Sequence, residues 1–202
     1  KNNYVRALSY QLFENNGVIK REIVNKMIQN ISKEDRITLR KIGVKIGRYH
    51  IFLPKMLKPS AVSLRIKLWK LYFPEEKKYI IPKPGLNFLK DESKKNNKFL
   101  LICGFENIGP FYVRVDILEK LFLKIIENNK DNGFKIDSDM INLIGCSKEN
   151  FLKLLECMHY KPKKVGDNKE EFFAYKPKFV KSKSQKINKD SAFGKLSELR
   201  FR

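Results

Sequence analysis

A mainly α fold with short β elements, of the α+β kind, is what the sequence predicts, and three observations predict it. Apolar residues recur at three- and four-residue steps in most segments between glycines and prolines, as in Val5, Leu8, Leu12 and Phe13. A shorter group, VKIGRYHIF, is instead rich in β-branched and aromatic residues and reads as a strand or hairpin arm. Towards the end, two short helical patterns joined by Gly145 precede two strand-like runs, the outline of a helix-turn-helix with a wing.

The elements follow in order. YVRALSYQLFENNG is helical and ends at Gly17, a residue suited to a left-handed cap. IKREIVNKMIQNI predicts a second helix with Ile23, Met27 and Ile31 inward. Ser32 caps SKEDRITLRKIG, with Asp35 at the third position and Gly43 at the end. In the β-like insert at 44–54, strand alternation sets Lys45, Gly47 and Tyr49 on one side and Ile46, Arg48 and His50 on the other. Pro59 opens a helix with the stripe Val62, Ile66, Trp69 and Phe73. These residues, 1–73, make a helical N-terminal domain.

Residues 74–98, with three prolines, a glycine and then a polar charge run, predict a loop or linker and the best domain boundary. An α+β part follows at 99–175. FLLICGFENIGPFYVRVD predicts two strands about a turn at Glu106–Pro110. Asp116 caps the next helix, whose stripe is Leu118, Leu121, Phe122 and Ile125. The helix-turn-helix unit spans 138–160, with Ser138 and Ser147 as caps and Phe151, Leu154, Leu155 and Met158 inward. YKPKKV and EEFFAYKP, joined by GDNK, form the wing. The tail at 176–202 carries nine Lys or Arg against Asp190 and Glu198, and its ending offers Phe193, Leu196 and Leu199 for docking.

Length and charge bound the function. A chain of 202 residues with 42% hydrophobic content and fifteen Phe has enough apolar material for a core. A formal net charge of +21 opposes compaction and favours polyanionic partners, nucleic acid first and an anionic membrane surface second. An AT-biased genome also produces high Lys, Asn and Ile content, so the excess has two open explanations. No apolar run approaches the ~20 residues of a membrane span. KNNYVRALSY has no signal-peptide pattern and no starting Met, so the expectation is a piece of a longer chain. Three cysteines, Cys103, Cys146 and Cys157, leave one unpaired at best, which suits a reducing cytoplasm.

Nucleotide hydrolysis and metal chemistry find no support in the motifs. GVKIGRYH has two glycines but neither the spacing nor the Ser/Thr of a phosphate-binding loop, and Gly194-Lys195 is followed by Leu196. Cys146, Cys157 and His159 are close in sequence without a paired-cysteine spacing. Neither thiols nor imidazoles assemble with an orienting group into a nucleophile set. The expected cofactor and metal complement of this chain is therefore none.

Three features point to nucleic acid. The first is the block LRKIGVKIGRYHIFLPKMLKP, where Arg40, Lys41, Lys45, Arg48, Lys55 and Lys58 are suited to phosphates and Tyr49 to stacking on a base. The same Tyr49 is equally suited to a core. The second is the helix-turn-helix unit with Lys148, Lys153, Lys161, Lys163 and Lys164. Such units also serve protein contacts. The third is the basic tail, for which solvation is the default and nonspecific phosphate attraction is expected.

ALSYQLFENNGVI, LRKIGVKIGRYHIFLPKMLKPSAVSLRIKLW, GFENIGPFYVRVDILEKL, DMINLIGCSKENFLKLLECMHY and the ending DSAFGKLSEL carry a family likeness. They resemble the region after the motor domains in bacterial relatives of the mitochondrial degradosome RNA helicase, a branch of superfamily II. IGRYHIFLPKMLKP is its most specific block; residues 74–98 and 176–188 match no pattern. The resemblance implies a C-terminal accessory region that guides single-stranded RNA or DNA, with the motor domains of the same chain as partners. ATP and Mg would belong to those motor domains, and no catalytic residue carries over. Two rivals stand beside it. One is a protein-interaction scaffold whose charge reflects genome bias. The other is a stand-alone winged-helix DNA-binding regulator, which leaves the first seventy residues unexplained.

Overall fold

Helix α1 (Asn3–Glu14) opens the chain in a computed structural model that describes residues 3–74, 79, 81–92, 96–129, 133–164 and 171–176. It buries Leu8 and Leu12 and ends as expected at Gly17, whose φ of 82° lets its N–H reach Leu12 O at 2.7 Å. The next segment needs a correction. Strand β1 (Val18–Lys20) comes first, because Ile19 pairs opposite Ile51 across a sheet, and only then does α2 (Arg21–Gln29) begin. The helix therefore turns Val24 and Ile28 inward and leaves Ile23 exposed. Helix α3 (Lys33–Lys41) starts where Ser32 Oγ accepts the Asp35 N–H at 3.1 Å and stops at Gly43, φ 94°.

The β-like insert is a hairpin of β2 (Lys45–Ile46) and β3 (His50–Phe52), and the sheet order is β1-β3-β2. The chain reverses at 47–49, so the alternation expected along a single strand does not extend through the turn. Pro54–Leu57 make a 3-10 turn, and Pro59 is the first residue of α4 (Pro59–Tyr72). Val62, Ile66 and Trp69 face the core, and Phe73 stays half-exposed with its ring 4.3 Å from that of Trp69.

Two expectations fail in the middle of the chain. Part of the proposed linker, Phe88–Lys90, is strand β4, which pairs with a strand more than twenty residues later. FLLIC is helical rather than extended, with Phe99–Ile102 in α5 (Asn97–Ile102) and Cys103 as its C-cap. Cys103 lies four residues after Phe99 and three after Leu100, and helix geometry gathers them onto one face against Phe105 and Tyr112. Strands β5 (Phe105–Ile108) and β6 (Phe111–Arg114) follow, with the turn at Gly109–Pro110 and the order β4-β6-β5. Strand β6 is a wall with two apolar faces. Tyr112 packs with α5, while Phe111 and Val113 enter the core behind, as a strand's period of two requires.

That second core belongs to a winged-helix-like unit. Helix α6 (Val115–Glu127) buries the expected stripe Leu118, Leu121, Phe122 and Ile125. It starts one residue before the expected cap, and Asp116 pairs with Arg114 at 2.7 Å instead of capping. Strand β7 (Phe134–Lys135), helix α7 (Ser138–Ile144), helix α8 (Lys148–Cys157), β8 (Tyr160–Lys164) and β9 (Glu171–Tyr175) complete it, with the sheet order β7-β9-β8. Asp137, not Ser138, caps α7; Ser147 caps α8 as expected, and Gly145 turns between them at φ 75°. Full burial of Phe151, Leu154 and Leu155 is worth about 1.5–3 kcal/mol each. The GDNK turn and, after Lys176, the rest of the tail, with Phe193, Leu196 and Leu199, lie outside the described residues.

Phe52 and Leu57 of the first unit bury against Val115 at the start of α6. The more informative link is polar.

Candidate functional site

His50 occupies the central strand β3 and is 3% exposed. Its Nε2 lies 3.1 Å from Glu106 of β5 and its Nδ1 lies 3.1 Å from Glu119 of α6. An imidazole between two carboxylates donates from both nitrogens, which makes it an imidazolium. Burial acts to lower the His50 pKa, but hydrogen bonds and charge from Glu106 and Glu119 outweigh it and raise the pKa. Burial likewise opposes ionisation of Glu106, where His50 and Lys20 win and hold the carboxyl below its usual value. The Lys20 ammonium is 2.6 Å from the Glu106 carboxylate.

Glu119 explains the glycine-bearing turn. Its carboxylate accepts the backbone N–H of Arg48 at 2.7 Å, of Tyr49 at 2.9 Å and of His50 at 2.7 Å. Consecutive N–H groups converging on one anion form a nest of the sort that binds phosphates. Here the anion is internal. A Cβ on Gly47 would collide with the same carboxylate, so glycine is what allows the approach. Burial works against the Glu119 charge, but the His50 imidazole and the three N–H groups together keep its pKa low. The likeness to a phosphate loop is therefore real at the backbone, and the chain's own side chain fills it.

A cleft of about 730 Å³ opens beside this strut. The first unit supplies Lys20, Arg21, Glu22, Asn25, Arg48, Tyr49 and His50; Glu106–Gly109, Leu118, Phe122, Cys157–His159 and Tyr175 complete the lining. Arg21 donates to Gly47 O at 3.0 Å, and Lys20 is engaged with Glu106. The Arg48 guanidinium has no hydrogen-bond or ion-pair partner among the described residues. Tyr49 is 41% exposed, with its ring 3.9 Å from Phe122 at an interplanar angle of 33°. Tyr175 is exposed too, and its ring lies 5.5 Å from that of Tyr160. Burial, together with Tyr175 and a hydrogen bond to Tyr49, pushes the Tyr160 phenol up to about 12, so it is neutral.

Of the residues expected to meet nucleic acid, Arg48 and Tyr49 line this cleft. The others do not. Arg40 and Lys41 end α3, Lys45 is on β2, Lys55 is in the 3-10 turn and Lys58 precedes α4, all exposed. Lys148 and Lys153 are exposed on α8, where Glu149 and Glu156 are exposed as well, so that surface is balanced in charge. Lys161 and Lys163 are exposed on β8, whose last residue is Lys164. Lys20, Arg21, Glu119 and Tyr175 were not singled out from the sequence, which placed Glu106 only in a turn and weighed His159 only as a metal ligand. Glu119 left a signal, because it shares the inward face with Val115 and Phe122 at steps of four and three.

Among the described residues no group of three or more His, Cys, Asp or Glu is arranged to hold a metal. None of their helices is long and apolar enough to cross a membrane. Burial raises the Cys103 and Cys146 thiols to about 11, so neither is a ready nucleophile. Fold and cleft together define an α+β protein in which a winged-helix-like unit is tied to a helical unit by a buried ionic strut. A scan against protein-family models, a search of curated proteins and a search of solved structures each found no match to this chain.

Proposed function

We propose that this chain is a nucleic-acid-binding accessory region of an ATP-dependent RNA or DNA helicase, and that its cleft guides a single strand. The observation that carries the binding is the unpaired Arg48 guanidinium beside the exposed rings of Tyr49 and Tyr175. A cation for phosphate next to aromatic faces for bases is the combination that single-strand sites use. The net charge of +21 favours the same partner. The helicase part of the reading is supported by the likeness of the IGRYHIFLPKMLKP block to helicase accessory regions; ATP and Mg would act in motor domains.

Fluorescence anisotropy with labelled single-stranded RNA, single-stranded DNA and duplex across a salt series tests it. Single strands bind at low salt, more tightly than duplex, with affinity falling as salt rises. No binding to any of the three at low salt overturns the proposal. The α8 surface, with Lys148 and Lys153 offset by Glu149 and Glu156, gives a sequence-specific duplex reader no comparable support.

A further inference from the structure

Helix α8 ends at Cys157, and the chain must turn at once into β8. The turn is made by His159, which takes a left-handed backbone conformation with φ 68°. Its N–H donates to Glu156 O at 3.0 Å, and its carbonyl accepts the Lys176 N–H at 2.8 Å. Both bonds are made by the backbone and require no imidazole, and glycine would take the left-handed φ at less steric cost. Among the described residues the other positive φ values fall on Gly17, Gly43, Gly85, Gly104, Gly109 and Gly145 and, beside a glycine, on Asn16. At His159 the chain keeps a side chain that makes the turn harder.

The side chain goes to the cleft. His159 is half-buried and lines it with Cys157, Met158 and Tyr175. Its imidazole makes no hydrogen bond or ion pair among the described residues. This end of α8 is also held in place: a Cβ on Gly109 would strike Cys157 Sγ, so the turn between β5 and β6 presses directly against it. A strained residue in a fixed wall, with no internal partner for its ring, is the pattern of a side chain kept for a ligand. The ring offers a flat face and two polar edges. Tyr49 and Tyr175 offer further faces in the same cleft, and Arg48 offers the cation.

We infer that His159 is a ligand-contacting residue of the cleft, and that the unit bound there is one unpaired nucleotide. The base lies against the imidazole and the tyrosine rings, and the phosphate meets Arg48. The inference rests on the proposed single-strand binding and adds the residue that grips the base.

Two properties make it testable. The chain has only two histidines, and His50 is locked between its carboxylates. Both line the cleft, so imidazole NMR signals separate a ring with no internal partner from one engaged on both nitrogens. On titration with an oligouridylate, the His159 signals shift and those of His50 do not. In parallel, His159→Gly relieves the backbone, raising Tm by about 2–4 °C, while affinity for the labelled oligouridylate falls about fivefold or more. His159→Asn, which tolerates the left-handed conformation, loses affinity with little change in Tm. The inference is overturned if both variants bind as the wild type does, if the His159 signals stay fixed at saturation, or if His159→Gly lowers Tm. When the wild type binds and His159 is silent, the inference alone fails. When the wild type does not bind, the proposed function fails with it.

Discussion

The hairpin residues Arg48–His50 and the exit from α8 at His159 both line the cleft, and each carries one of the two histidines. In the hairpin the backbone N–H groups of Arg48, Tyr49 and His50 and both His50 ring nitrogens are answered from within. Three N–H groups meet the Glu119 carboxylate, and both His50 nitrogens meet carboxylates. At the helix exit the backbone is satisfied but the imidazole is not. The difference separates strut from surface in a region where basic and acidic side chains are mixed. Groups with internal partners hold the two units together, and groups without them remain for a ligand. Arg48 shows both behaviours in one residue: its N–H belongs to the strut and its guanidinium to the cleft.

The largest effect expected from breaking this contrast is at Glu119. Glu119→Ala leaves three N–H groups and an imidazolium without their anion inside the protein. Removing one partner of a buried ion pair costs about 3–5 kcal/mol. Urea denaturation should show a loss of that size; a loss below about 1 kcal/mol would mean that water or Glu106 replaces the carboxylate. Gly47→Ala approaches the same site from the other side, and its added methyl must displace the carboxylate. Overpacking of this sort costs about 1–3 kcal/mol, so it should fall below Glu119→Ala in the same assay.

The strut also gives a pH signature. Glu106 and Glu119 have lowered pKa values, so their contribution is present above the unfolded value near 4.5 and is lost as pH falls through the folded values. His50 has a raised pKa, so its contribution is full below the unfolded value of 6.5 and is lost as pH rises through the folded value. The urea midpoint should therefore be highest between about pH 4.5 and 6.5 as far as these groups decide it. In His50→Gln the decline on the alkaline side should vanish. A decline that survives the substitution would assign it to other groups.

What the sequence made legible follows the range of the interactions. Caps at Ser32 and Ser147 and stops at Gly17 and Gly145 are set within a few residues, and each appears where the pattern put it. The winged-helix-like outline was legible for the same reason. Short apolar runs were not: FLLIC fits a strand or a helix equally, and packing against α4, β5 and β6 decides it. Strand β4 hides in a proline-rich stretch because its partner is β6. The strut was hidden most deeply, since Arg48 and Glu119 are 71 residues apart. From the sequence, Arg48 and Tyr49 were candidates on residue type alone, with no means of separating them from Lys45 or Lys55.

The smallest effect on stability, and the sharpest on binding, is expected at Arg48. Arg48→Ala keeps the backbone N–H on Glu119 and removes only the exposed guanidinium, so stability should stay within about 0.5 kcal/mol of wild type. If the guanidinium meets a phosphate, affinity for single strands falls and the logarithmic salt dependence becomes shallower by about 0.7, the share of one phosphate contact. Lys45→Ala provides the control. Lys45 was an equal candidate by sequence, but it lies on β2 and does not line the cleft. Its replacement should leave both the slope and the affinity nearly unchanged. Equal losses at Lys45 and Arg48 would mean that phosphates meet a diffuse basic surface, and the cleft would lose its special standing.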